Sequence, residues 1–227
     1  MRPSSKRRGA GARSNSAVPV NMSQPARADG ALASFTAGQE LRRKALHLAT
    51  AAIPILYASR VDRSPLLVVL ATGTVVALTI EWLRWNHAAA KALFERVFGS
   101  LLRPHEQRSL SGATWLCLSC LLAVLLLPRA AAVAAMWCAT MGDSVAALVG
   151  RAWSGARHGA DGGGKTTIGS VACWAVSAAG VFVLAGYGLI PALWIGAAAA
   201  AAERPAAPLD DNLRVMVAAG LAAYLFT

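Results

Sequence analysis

Acidic side chains are scarce in this sequence. Only 11 Asp and Glu stand against 22 Lys and Arg, and charged residues of both signs make up 15% of the 227. A soluble domain carries about a quarter, so a water-facing surface over most of the chain is excluded. The N-terminus is just as poor in what a secretory signal needs. Residues 1–38 are rich in Arg, Ser, Ala and Pro, hold a single acid, Asp29, and contain no apolar core segment. They read as a disordered basic tail, and the same composition also suits an organelle transit peptide. Cysteines number four, Cys117, Cys120, Cys138 and Cys173, all inside apolar runs. Cys117 and Cys120 have C-x-x-C spacing, but no second ligand pair follows. Buried small hydrophobes are expected, with no zinc site, redox pair or disulfide framework.

Apolar residues are what the chain has in abundance: 56% of the total, with a mean hydropathy of +0.48. They come in long runs without alternation, the pattern of transmembrane helices. The formal charge of +11 would point to nucleic acid in a soluble protein. Beside long apolar runs it reads as basic collars facing anionic lipids, and nucleic acid is set aside. The expected fold is all-α, a polytopic integral membrane helical bundle spanning residues 39–227. The spans fall in a run ending near Ser59, then at Pro65–Leu83, Gly112–Leu127, Ala130–Val149, Ile168–Ala185, Leu189–Ala202 and Leu213–Thr227, with a surface helix over Ala88–Leu102. That makes about seven transmembrane helices, or six if a short run does not cross. With the N-terminus cytoplasmic, the loops leave only Arg60, Arg63 and Arg129 of the 22 Lys and Arg on the far side. The same orientation gathers every polar motif on the cytoplasmic face.

The most informative motif runs from Gly142 to Ser170. It places Asp143 inside an apolar segment, breaks into a Gly-rich loop at Gly159–Gly164, and resumes an apolar segment after Lys165, Thr166 and Thr167. Gly159 to Thr166 satisfies G-x-x-x-x-G-K-[ST], a pattern that is informative only between a buried strand and a soluble helix. Here a polar stretch precedes it and a membrane span follows, so a P-loop fold is not expected. Glycines that free backbone N–H groups, with a lysine beside them, still suit phosphate; a flexible linker is the plainer reading of the loop alone. Arg43, Lys44 and His47 fall within one turn of each other, and His47 lies one turn into the first apolar run, where an ionisable residue is functional by default. Glu203 precedes Asp210, Asp211 and Asn212 at the mouth of the last run. One of these three caps a helix; three oxygen-bearing residues in succession exceed that need and suit Mg²⁺, which takes one or two carboxylates plus phosphate and water. Cations, carboxylates and a glycine loop on one face make a metal–polyphosphate site, and at a membrane the second substrate is a lipid.

Four blocks resemble one family. They are Arg43-Lys44-x-x-His47; Ser109-x-Ser111-Gly112-x-Thr114-Trp115; Gly142-Asp143-x-x-Ala146-Ala147-x-x-Gly150-Arg151 with Gly164-Lys165-Thr166-x-x-Gly169-Ser170; and Glu203 followed by Asp210-Asp211-Asn212-Leu213. In order and spacing they resemble the CTP-dependent polyprenol, dolichol, phytol and diacylglycerol kinases, which are related to the phosphatidate cytidylyltransferases. The resemblance covers residue 40 to the end. It implies transfer of the γ-phosphoryl group of CTP to a lipid alcohol, with Mg²⁺ as cofactor. It implies Arg43, Lys44, Arg151, Gly164, Lys165 and Thr166 around the triphosphate, and Asp143, Asp210, Asp211 and Asn212 around the metal. Asp143, Lys165 and His47 take the catalytic roles, with Asp143 an alternative orienter of the lipid hydroxyl. One position departs from the family, which usually carries glutamate where this chain has Ile168; Asp161 is an acid near enough in sequence to compensate. A cytidylyltransferase is the runner-up, but the Lys-Asp and Pro-Gly-His-Gly-Gly segments expected of that class are missing. A small transporter with a midplane acid at Asp143 ranks third.

Overall fold

The computed structural model describes residues 37–102, 104–107, 109–154, 165–204 and 209–227. The tail through residue 36, Asp161 and the loop containing Gly159–Gly164 lie outside the described residues. Every described element is helical, in line with the all-α expectation. The basic segment and first apolar run form two helices, α1 (Ala37–Ala49) and α2 (Ala52–Ser59), separated by a turn at Thr50 and Ala51. Then come α3 (Arg63–Asn86), α4 (Ala88–Phe98) with a short 3₁₀ turn at Gly99–Leu101, and α5 (Gly112–Leu126). A single rod is made of α6 (Arg129–Trp137), a π-helical turn (Cys138–Gly142) and α7 (Asp143–Ser154). The chain closes with α8 (Thr167–Leu184), α9 (Leu189–Glu203) and α10 (Asp211–Tyr224).

Among the described residues, three helices are long and apolar enough to cross a membrane: Arg63–Asn86, Arg129–Trp153 and Thr167–Leu184. Two shorter apolar helices, Gly112–Leu126 and Leu189–Glu203, accompany them. Fifteen residues rise about 22 Å, less than a hydrocarbon core of about 30 Å. The chain is thus a helical membrane-type bundle in which length alone qualifies three elements.

The distribution of side chains is inverted relative to a soluble bundle. Val68, Val69, Val75 and Val76 project outward from α3, while Thr74, Glu81 and Arg84 of the same helix are buried. Lipid accepts the first set, and the second is tolerated because each polar group finds a partner inside. At the centre lies α6, whose Ala131 to Met136 are all buried, packed against α2, α5, α8 and α10. Small residues let these backbones approach closely. Gly180 on α8 shows why: a side chain there would run into the Trp137 ring, whose Nε1 donates to the Val176 carbonyl at 2.9 Å.

Alternating chain direction brings the ends of α3, α5, the α6–α7 rod, α8, α9 and α10 to two opposite ends of the bundle. One end collects the turns near residues 60–63, 126–129, 185–188 and 225–227. There Arg63 donates to the carbonyls of Val124 (3.1 Å) and Leu125 (2.7 Å) at the C-terminus of α5. Arg129 donates to Tyr57 (2.9 Å from Nε) and Val61 (2.9 Å), and lies 4.9 Å from the Tyr57 ring centre. The described residues of the motifs, Lys44, Asp143, Lys165, Glu203 and Asp211 among them, lie toward the other end.

Candidate active site

Asp143 is delivered by the π-helical turn immediately before it. That turn packs against α1, α8, α9 and α10, and Gly142 allows the fit: a Cβ there would stand 2.6 Å from Ser177 Oγ and 3.1 Å from Cys173 Sγ. The wider loop of the turn also offers the Ala139 carbonyl sideways, where His47 Nε2 meets it at 3.3 Å. Lys44, one turn before His47, is 3% exposed and forms an ion pair with Asp143 Oδ2. The expected meeting of the Arg43/Lys44/His47 block with Asp143 is therefore present, with Lys44 making the direct contact.

Lys165 leads into α8. Its ammonium pairs with Glu203 Oε1 at 3.0 Å, lies 3.6 Å from Asp211 Oδ2, and donates to the Glu203 main-chain carbonyl. Lys165 is close enough to Asp143 for the two charges to interact, which joins the two ion-paired sets into one polar site. Thr166 caps α8, its hydroxyl accepting from Gly169 N–H at 3.0 Å. Gly150 and Gly169 admit this hydroxyl between α7 and α8, since a Cβ at either would press to 2.7 Å or 3.0 Å of it. Arg151 is exposed in the last turn of α7. Gly164 lies outside the described residues.

In the last block, one residue does cap the helix: Asp210 Oδ1 accepts from the Asn212 N–H at 2.9 Å and from its side-chain amide at 2.8 Å. The Asn212 amide also donates to the Gly112 carbonyl at 3.3 Å, tying α10 to the start of α5. Gly112 is crowded by design of the surrounding charges: a Cβ there would lie 3.3 Å from Glu106 Oε1 and 3.8 Å from both Arg43 Nη1 and Asn212 Nδ2.

Behind Gly112 lies a network in which the second block, through Ser109, Ser111 and Thr114, meets Glu81, Arg84 and Glu106, three residues that the sequence pattern did not single out. Glu81, 2% exposed, accepts from Ser111 N–H (2.8 Å) and the Thr114 hydroxyl (3.0 Å), and its second oxygen pairs with Arg84. Arg84 donates onward to the carbonyls of Glu106 (2.9 Å) and Ser109 (2.6 Å), and Glu106 in turn accepts from Gly112 N–H at 3.3 Å. For Glu81 itself the sequence offers a lone acid at the end of a long apolar run, next to Trp82 and Trp85, residue types that suit a membrane interface. A cavity of about 350 Å³ beside α4, lined by Arg84, Trp85, Lys91 and Phe94, abuts this network and is separate from the Lys44–Asp143 pair.

Among the described residues, no group of three or more His, Cys, Asp or Glu side chains is placed to hold a metal ion. The donor chemistry nevertheless fits Mg²⁺, which needs only one or two protein carboxylates when phosphate and water complete its shell. Asp143 and Asp211 each already face a lysine ammonium, and one buried oxygen of Glu203, Oε2, has no hydrogen-bond partner among the described residues. The four cysteines are free thiols, three of them buried, as expected from their apolar surroundings.

No family model matches the chain, and no solved structure matches it. Over 204 residues it is 28% identical to the CTP-dependent diacylglycerol kinase 1 of Schizosaccharomyces pombe, an alignment that takes in 82% of this chain and 93% of that protein. That likeness supports, at family level, a CTP-dependent lipid kinase.

Proposed function

We propose that the chain transfers the γ-phosphoryl group of CTP to a lipid alcohol at the membrane surface. The observation that carries the reading is the convergence of Lys44–Asp143 and Lys165–Glu203–Asp211 at one end of an apolar bundle, in a chain similar over most of its length to a protein named as a CTP-dependent diacylglycerol kinase. Phosphoryl transfer asks little covalent help of a protein; it asks for positioning and neutralisation of charge.

In this reading Lys165 and Arg151 steady the triphosphate, with Arg43 and Lys44 reaching it from α1. Asp143 orients the lipid hydroxyl and accepts its proton as the hydroxyl oxygen bonds to the γ-phosphorus. The bond from that phosphorus to the bridging oxygen breaks, and CDP leaves. Asp143 or Asp211 would hold Mg²⁺, which would supply charge neutralisation. His47, through the Ala139 carbonyl, holds the turn that aims Asp143. Among polyprenol, dolichol, phytol and diacylglycerol, diacylglycerol is favoured by the named relative. About seven crossings with the N-terminus and site cytoplasmic complete the proposal, because that orientation gives the strongest bias of Lys and Arg to one side.

The test is to incubate membranes carrying the protein with CTP labelled at the γ position and with each alcohol in turn. Label in the lipid is the expected result. Formation of CDP-lipid would instead mean a cytidylyltransferase, and no transfer to any alcohol would remove the kinase reading.

A further inference from the structure

The oxygens around Lys165 form a setting for a cation, and an ammonium is only one cation that suits it. They come from two helix ends that face each other. The C-terminus of α9 contributes the Glu203 carboxylate (Oε1 at 3.0 Å) and the Glu203 main-chain carbonyl; the first turn of α10 contributes Asp211 Oδ2 at 3.6 Å. Glu203 is 4% exposed, and its Oε2 is enclosed with no hydrogen-bond partner among the described residues. An enclosed carboxylate oxygen without a donor is costly, so the lysine satisfies only part of what this setting offers. Two carboxylates and a carbonyl are a donor set that a hard divalent cation accepts, with water or phosphate oxygens filling the remaining positions. Lys165 is able to yield its place: its side chain is 29% exposed and sits on a flexible four-carbon stem.

We propose that Glu203 and Asp211 form a divalent-cation site and that Lys165 occupies it as a resident counter-ion until a divalent cation displaces the ammonium. The donor set shares Asp211 with the one the motifs suggest and adds Glu203, while Asp210 caps α10. The consequence of the exchange rests on the kinase reading: the ion that accompanies the triphosphate releases the lysine that binds it, so Lys165 reaches phosphate only when metal is present. The site itself stands without that reading.

The test uses the full chain in detergent micelles, without nucleotide or lipid substrate, and Mn²⁺ as the probe, with free Mn²⁺ read by electron paramagnetic resonance. Lys165→Met is expected to bind one Mn²⁺ about tenfold or more tightly than the wild type, a gain of about 1.4 kcal/mol or more. Adding Glu203→Gln is expected to remove that gain. Binding by Lys165→Met no tighter than wild type, or a double variant that keeps the gain, would overturn the proposal. The wild-type protein gives an independent reading: Mn²⁺ should raise acylation of the Lys165 amine severalfold relative to Lys91, measured by peptide mass spectrometry, and an unchanged ratio counts against it. Mn²⁺ binding without any CTP-dependent lipid phosphorylation would remove the kinase reading and leave the cation site; the reverse result would do the opposite.

Discussion

At the end of the bundle that holds Arg63 and Arg129, cations are bound by main-chain carbonyls; at the opposite end, Lys44 and Lys165 are bound by carboxylates. The difference is one of permanence. A carbonyl at a helix C-terminus is part of the scaffold, and an arginine spread across several of them fixes α2 to α6 and α3 to α5. A lysine on a carboxylate is a pair of mobile charges, each of which can be exchanged for another ion of the same sign. In the proposed function phosphate would compete for the lysine and metal for the carboxylate. One end is therefore built to stay closed, and the other to be opened by a charged ligand. Arg84 sits with the second group in place but with the first in character, since it grips the Glu106 and Ser109 carbonyls as well as Glu81.

The sharpest way to break this contrast is at Asp143. Asp143→Asn keeps the shape and removes the charge, and lipid phosphorylation per folded molecule should fall by about a hundredfold or more; activity within a few fold of wild type would place the chemistry elsewhere. The next largest effect is on stability. Arg84→Met leaves Glu81 buried without its cation and should cost about 3–5 kcal/mol, read as a lowered unfolding midpoint in detergent. If that variant melts like wild type, the Glu81 network is not holding the start of α5. At the closed end, Arg129→Ala should cost about 1.5–3 kcal/mol through its lost charged hydrogen bonds while the kcat of the remaining folded protein is unchanged. A selective loss of kcat there would erase the distinction between the two ends. Smallest of all, Asp210→Ala removes a helix cap worth about 1 kcal/mol, visible as a modest drop in the same melting experiment.

How far the sequence alone could reach depended on whether a feature is local. The helix α8 begins at Thr167, one residue from the expected Ile168, because a hydroxyl cap before an apolar run is a neighbour effect. The meeting of Lys44 with Asp143 was legible only indirectly, through the alternation of chain direction that puts both motifs at one end. The break of the first apolar run at Thr50 and Ala51 follows from Pro54, which has no N–H to give the Thr50 carbonyl four residues back and whose ring crowds it. The standing of Glu81 was not legible: burial of a carboxylate is decided by Ser111, Thr114 and Arg84, two of them about thirty residues away. For Asp210 the competing readings of cap and metal ligand are separated by a hydrogen bond to Asn212 that no spacing rule could choose.

The π-helical turn at Cys138–Gly142 has a consequence for how this chain could evolve. An extra residue in one turn shifts everything after it by about 100° around the helix axis relative to a regular continuation. The rod is thus divided into two sections whose facings are set independently, α6 turned to bury an alanine surface on every side and α7 turned to bring Asp143 to Lys44. Wound as ordinary α-helix, the same residues would carry Asp143 past its partner by about that angle without altering any residue of the site, whereas loss of one residue between Cys138 and Gly142 would close the bulge and leave the acid facing Lys44. The winding of this turn is therefore as much a part of the site as the aspartate itself.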